Sequence, residues 1–199
     1  MKTLLLIGMQ TDLMPGGARE VLGSAALLPK VNRLLAHYEH SVAAKFSLPA
    51  SHLSFAANHP WRKPGQYVQV ESQPTELQTM YCVKGSFGAE FAPGINTKNI
   101  SLTFEMGSED DGIPHSAFFD AGNPKSTGLR EHLKSIRCTE LFIAGMPLET
   151  IVTNTVQDAI GLGLRVVVLE DACAATEAGI KPAILEKIAA AGGQLATSQ

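Results

Sequence analysis

The segment ELFIAGMPLETIVTNTVQDAIGLGLRVVVLE, residues 140–170, contains the pattern that decides the fold. Apolar runs at Glu140–Ala144 and Arg165–Glu170 predict two buried strands, and the stretch Glu149–Leu162 between them predicts a helix. Continuous apolar strands that alternate with helices are typical of a parallel sheet covered on both faces.

The same alternation continues on both sides of this segment. The other predicted strands and helices are Thr3–Ile7, Leu27–Tyr38, Ser41–Phe46, Ile100–Phe104, Thr127–Ser135 and Lys181–Ala191. The sequence therefore predicts an α/β fold, a Rossmann-like three-layer αβα sandwich with a mostly parallel sheet of about six strands. Ligands of such sheets bind at the carboxyl ends of the strands. Residues 47–95, rich in Pro, Gly, Ser, Asn and Gln, predict long loops, a common place for a binding site.

The amino-acid composition limits which classes of function the chain can have. The 199 residues fit one domain, 1–199, and 45% hydrophobic residues are ordinary for a globular protein. With a net charge of −3, the chain has no excess of basic residues that would indicate binding to nucleic acid or to an anionic membrane. The apolar run near the N-terminus is short and predicts a buried first strand instead of a signal peptide. Cys82, Cys138 and Cys173 are widely spaced, which favours reduced thiols in a cytoplasmic protein over disulfides or a zinc site.

Five segments resemble the isochorismatase-like hydrolases, a family that includes nicotinamidases and N-carbamoyl amide hydrolases. In chain order they are LLLIGMQTDLMPGGA (4–18), ASHLSFAANHP (50–60), YCVKGSFGAEF (81–91), HSAFFD (115–120) and AGMPLETIVTNTVQDAIGLGLRVVVLEDAC (144–173). The resemblance implies the fold of that family and a site in which a Cys attacks an amide carbonyl at a helix N-terminus. An Asp on the first strand takes the thiol proton, and a Lys orients the pair.

The resemblance assigns the three catalytic positions to residues that lack this chemistry. The Asp falls on Gly8, the Lys on Met106 and the Cys on Ile151. None of these side chains can accept a proton, donate one or act as a nucleophile. We therefore predict that the usual cysteine-hydrolase activity has been lost.

The nicotinamidase metal positions give a similar result, since they fall on Phe46, Leu48, His52 and Tyr81. One His does not make a metal site, so we predict neither a metal nor another cofactor. The family also has a cis peptide bond four residues before the nucleophile. Here that bond is Met146–Pro147, and we predict that it is cis because proline greatly lowers the cost.

The residues expected around the pocket are mostly apolar. They are Leu13, Phe46, Leu48, His52, Tyr81, Met106, His115, Pro147, Thr150 and Ile151. Together they could form an apolar pocket for a small hydrophobic or aromatic ligand, or they could fill the space and leave no cavity. The sequence does not separate the two possibilities, and we slightly favour a filled or narrowed pocket.

Three functions remain open. The first is a non-catalytic family member, or pseudoenzyme, that binds a small molecule or a protein partner. The second is a hydrolase with a relocated catalytic set, with His115 as general base beside Asp12, Glu149 or Cys82. For each of these four residues a structural role is the alternative. The third is a structural subunit that pairs with an active homologue, and the resemblance also implies self-association into a homo-oligomer.

Overall fold

The computed structural model describes residues 1–70, 73–121 and 125–198. Its strands in chain order are β1 (Lys2–Ile7), β2 (Ser41–Phe46), β3 (Tyr67–Val70), β4 (Gln73–Glu76), β5 (Leu102–Met106), β6 (Ile113–Pro114), β7 (Asp120–Ala121), β8 (Glu140–Gly145), β9 (Arg165–Cys173) and β10 (Gln194–Ala196). Six of them form one sheet in the order β10-β9-β8-β1-β2-β5, and every neighbouring pair is parallel. This confirms the predicted α/β fold, with a sheet that is wholly parallel.

The sheet is flanked by helices α1 (Leu28–His37), α2 (Leu129–Ser135), α3 (Thr153–Gly161) and α4 (Lys181–Ala190). The central strands β1 and β8 are almost entirely buried, which explains their continuous apolar sequences. None of the helices within the described residues is both long and apolar enough to cross a membrane.

The predicted helix Glu149–Leu162 is divided into two parts. A π-helical turn covers Leu148–Val152, and α3 continues from it. The hydroxyl group of Thr153 donates a hydrogen bond to the carbonyl of Leu148 at 2.6 Å, which helps to satisfy the backbone at this junction. π-helical turns of this kind are often found at functional sites.

Several elements differ from the prediction because they lack a strong hydrophobic pattern. Strand β9 extends to Cys173, past the polar pair Glu170 and Asp171. Strand β10 is short and largely exposed at the edge of the sheet. The antiparallel hairpin β3–β4 lies within residues 47–95, where loops were expected, and the hairpin β6–β7 lies in a segment for which no strand was predicted.

The strand register places one set of loops at the carboxyl edge of the sheet. Ile7 lies beside both Ala44 and Gly145, and Phe46 lies beside Met106. Because all six strands run in the same direction, the segments that follow β1, β2, β5 and β8 emerge at this edge.

Candidate functional site

A cavity of about 530 Å³ opens at the carboxyl edge of the sheet. It is lined by Arg19, Phe46, Ser54, Pro74, Thr75, Glu76, Gln78, Tyr81, Ile113, Pro114, Ala121, Pro147, Thr150 and Ile151. Its volume lies in the range of small-molecule sites, and most of its walls are apolar. The pocket is therefore not filled, and whether it is narrowed stays a prediction.

The predicted pocket residues divide into three groups. Phe46, Tyr81, Pro147, Thr150 and Ile151 line the cavity as expected. The remaining residues do not line it. Of these, Leu13, Leu48, His52 and Met106 are completely buried. His115 lies outside the cavity with an exposed side chain.

Of the three positions that the resemblance assigns to the catalytic triad, only Ile151 lines the cavity. Met106 ends β5 and is 0% exposed. Gly8 has a φ angle of +63°, and a Cβ atom added to it would lie 2.2 Å from the carbonyl oxygen of Met146. This contact leaves no room for a side chain at position 8 unless the backbone moves.

The peptide bond between Met146 and Pro147 is cis, as predicted from the sequence. It lies between β8 and the π-helical turn, and the Pro147 ring forms part of the cavity wall.

Two of the four positions that the resemblance assigns to metal ligands, Phe46 and Tyr81, belong to an aromatic cluster. Their rings pack edge to face with centroids 5.6 Å apart, and the Phe55 ring packs edge to face against Tyr81 at 6.1 Å. Carbon and phenol groups in this arrangement do not suit a divalent cation. Within residues 1–70, 73–121 and 125–198, no group of three His, Cys, Asp or Glu side chains could hold a metal ion.

His52, the remaining metal-position residue, is held by hydrogen bonds inside the protein. Its Nδ1 lies 2.7 Å from the hydroxyl of Ser54, and its Nε2 lies 3.3 Å from the carbonyl of Gly112. Burial lowers the pKa of its imidazole, an effect that the Gly112 carbonyl and the carboxylates of Asp110 and Asp111 partly oppose. His52 thus joins two loops that border the cavity.

Comparisons with known proteins agree with this geometry. A family model described as the isochorismatase domain matches residues 2–199. The chain belongs to the isochorismatase family. A nicotinamidase from Escherichia coli K12 is 33% identical over 176 residues, which cover 86% of this chain and 82% of that enzyme.

Solved structures of related enzymes have the same isochorismatase fold. A nicotinamidase and pyrazinamidase from Acinetobacter baumanii is 27% identical, with a TM-score of 0.91 over 99% of this chain and 96% of that one. The yeast nicotinamidase bound to the inhibitor nicotinaldehyde is 25% identical, also with a TM-score of 0.91, over 99% of this chain and 100% of that one.

The structure does not bring His115 together with the acids and thiol of the relocated catalytic set. The side-chain amide of Asn154 donates to the carbonyl of His115 at 2.9 Å and lies 3.5 Å from its Nδ1. Glu149 accepts hydrogen bonds from the backbone N–H and the hydroxyl of Thr176. Each of these contacts supports a structural role for the residue.

Asp12 and Cys82 contact each other, but their interaction is structural. The Asp12 carboxylate accepts a hydrogen bond from the backbone N–H of Cys82 at 2.7 Å. Burial, together with the charge of Asp12, raises the pKa of the Cys82 thiol well above its ordinary value. Because thiolates are the reactive form of cysteine, this environment is the opposite of one that activates a nucleophile.

Gln10 is a structural residue that the sequence analysis did not single out. It lies two residues after Gly8 and is 0% exposed. Its amide oxygen accepts from the N–H of Phe46 at 2.8 Å, and its amide nitrogen donates to the carbonyls of Phe46 and Ala89 at 2.7 and 2.9 Å. Gln10 thus ties the loop after β1 to the end of β2 and to the segment around Ala89.

Five polar residues of the cavity were also missed by the sequence analysis. They are Arg19, Ser54, Thr75, Glu76 and Gln78. Four of them lie within residues 47–95, the region predicted to carry a binding site. The hairpin β3–β4, which was not predicted, carries two of these four, Thr75 and Glu76. Arg19 lies in the loop after β1. The sequence indicated its role only through this position, because loops that follow parallel strands lie at the edge of the sheet where ligands bind.

The stability of the protein is expected to depend on the ionisation of Asp120, which lies beside the cavity residue Ala121. Burial raises the pKa of this carboxyl to about 6, although the N–H of Gly107, at 2.9 Å, and the charge of Lys125 favour the ionised form. The folded protein therefore holds a proton that the unfolded chain has already lost above about pH 4. We expect the free energy of unfolding to fall by about 2 kcal/mol as the pH rises from about 4 to about 6.

The Asp120→Asn variant tests this expectation, because asparagine cannot ionise but can still accept from Gly107. Urea unfolding at a series of pH values should show a flatter profile for the variant than for the wild-type protein between pH 4 and 6. Identical profiles would show that Asp120 does not titrate in this range.

Proposed function

We propose that this member of the isochorismatase family binds a small ring compound in the cavity without hydrolysing it. The observation that carries the proposal is the combination of an open cavity of about 530 Å³ with Gly8, Met106 and Ile151 at the positions assigned to the triad. A site that had only decayed would be under no requirement to keep a cavity of this size.

The walls of the cavity favour a flat, largely apolar ligand. Phe46, Tyr81, Ile113, Pro147 and Ile151 all contribute apolar surface. Such surfaces bind rings through burial of apolar area and edge-to-face contacts. The relatives are nicotinamidases, and the yeast enzyme binds nicotinaldehyde, so pyridine and benzene rings are the natural first probes.

The neighbouring polar groups give little support for amide hydrolysis. The Cys82 thiol is buried and its pKa is raised, while the Asp12 carboxylate already accepts the N–H of Cys82. His115 is exposed outside the cavity. Hydrolysis needs a nucleophile with a base in hydrogen-bond reach, and these residues do not provide that pair. Self-association into a homo-oligomer stays a prediction.

Ligand binding can be tested by the shift of the thermal unfolding midpoint, because a compound that binds only the folded state raises it. The panel should contain pyridine and benzene carboxylates, amides and aldehydes. Thr150 is exposed on the cavity wall, and Thr150→Trp should block the cavity and remove the shift. Thr97→Trp, at an exposed position that does not line the cavity, is the matched control and should keep the shift.

A panel in which no compound raises the midpoint of the wild-type protein would contradict the proposal. A shift of equal size in Thr150→Trp would also contradict it, since binding would then occur elsewhere.

A further inference from the structure

Arg19 is positioned at the cavity by the loop that follows β1. Its backbone N–H donates to the carbonyl of Asp12 at 2.9 Å, and Gly17 packs so closely on Asp12 that an added Cβ atom would lie 2.4 Å from the same oxygen. This compact turn fixes the backbone from which the Arg19 side chain extends.

The guanidinium of Arg19 lies over a buried aromatic ring. Its central carbon lies 4.7 Å from the centroid of the Tyr81 ring. Tyr81 is only 5% exposed and packs edge to face against Phe46 and Phe55. The Tyr81 side chain also forms a hydrogen bond with Arg19. These two contacts hold the guanidinium at the cavity wall, and because arginine has five N–H donors, others remain for a ligand.

The positive charge of Arg19 is not neutralised by an ion pair in the described part of the chain. The nearby Asp12 carboxylate is occupied by the backbone N–H groups of Cys82 and Ala18. Glu76, the acid that lines the cavity, is exposed on strand β4, where water screens its charge. The cavity therefore combines apolar walls with one oriented cation.

This combination selects one class of ligand. Arginine binds a carboxylate through two parallel N–H···O bonds, and the apolar walls accept a ring attached to it. We propose that the ligand is a ring compound bearing a carboxylate or a similar planar anion, and that Arg19 determines this preference. The inference rests on the ligand binding proposed above.

Matched pairs of probes isolate the contribution of the charge. Benzoate and benzamide have nearly the same shape, as do nicotinate and nicotinamide, but only the first member of each pair is an anion. Calorimetric titration of the wild-type protein at neutral pH and low salt should show at least about tenfold tighter binding of the carboxylate.

The Arg19→Met variant should bind both members of a pair equally, because methionine retains an apolar contact with Tyr81 but lacks the charge. Arg33→Met removes the same charge from an exposed position on α1 and should keep the preference.

Each outcome bears on the inference. A preference that disappears only in Arg19→Met supports it. Equal binding of carboxylate and amide by the wild-type protein, or an unchanged preference in Arg19→Met, overturns it and leaves the proposed binding function intact. If neither member of either pair binds, and the wider thermal panel is also negative, both proposals are overturned.

Discussion

Replacing Gly8 with alanine is expected to lower the free energy of unfolding by about 3 kcal/mol. The new Cβ atom would lie 2.2 Å from the carbonyl oxygen of Met146 and 3.2 Å from a methyl group of Leu13. The φ angle of +63° lies in the left-handed region, where alanine is strained and glycine is not. Urea unfolding of the wild-type and variant proteins measures the effect.

Gly16→Ala is the matched control for this experiment. Gly16 has a φ angle of +80°, but an added Cβ atom would meet no other atom within 4 Å. We expect this variant to lose only about 1 kcal/mol, which is the conformational cost without the collision. Equal losses in the two variants would show that the contact with Met146 does not restrict position 8.

The same contact bears on the missing catalytic acid. An aspartate at position 8 would have the same Cβ atom as alanine and would meet the same carbonyl oxygen. Reintroduction of the acid alone therefore requires the backbone around Gly8 or Met146 to move. Position 8 suits glycine for two reasons. Its φ angle is positive, and a Cβ atom there would collide with the carbonyl oxygen of Met146.

Replacing Gln10 with leucine is expected to cost about 3 kcal/mol of unfolding free energy. Leucine fills much of the same volume, but it leaves the N–H and carbonyl of Phe46 and the carbonyl of Ala89 without the hydrogen bonds they make to Gln10. Buried backbone groups that lose their partners carry the full cost of their desolvation.

The control for this variant is Gln157→Leu, because Gln157 is exposed on helix α3 and a change there should alter stability by less than about 0.5 kcal/mol. Urea unfolding compares both variants with the wild-type protein. A loss in Gln10→Leu no larger than that in the control would show that the three hydrogen bonds contribute little to the folded state.

The parallel sheet could be predicted because its central strands are buried on both faces and consequently have continuous apolar sequences. Ser41–Phe46 was predicted with the bounds that β2 has. The hairpin β3–β4 was missed because its strands are short and mostly exposed, so their sequences have no strong alternation. Strand β9 was predicted too short because Glu170 and Asp171 interrupt its apolar run while its backbone continues to pair.

The candidate site could be predicted best where it lies on regular elements. Phe46 ends a strand, Pro147 and Ile151 belong to the junction between β8 and α3, and all three line the cavity. Tyr81 also lines it, although it lies outside the strands and helices. His115 does not line the cavity, and its side chain is exposed in the segment after β6. The position of Arg19 depends on a turn whose geometry has no periodic signal in the sequence.

The absence of hydrolysis is tested most directly by an assay on the purified wild-type protein with a panel of aromatic amides, esters and vinyl ethers. We predict that product formation does not exceed the rate in buffer, even for compounds that raise the thermal midpoint. His115→Ala and Thr150→Trp, purified in the same way, separate an intrinsic activity from a contaminant. Turnover above the buffer rate that disappears in either variant would show that the protein is an active hydrolase.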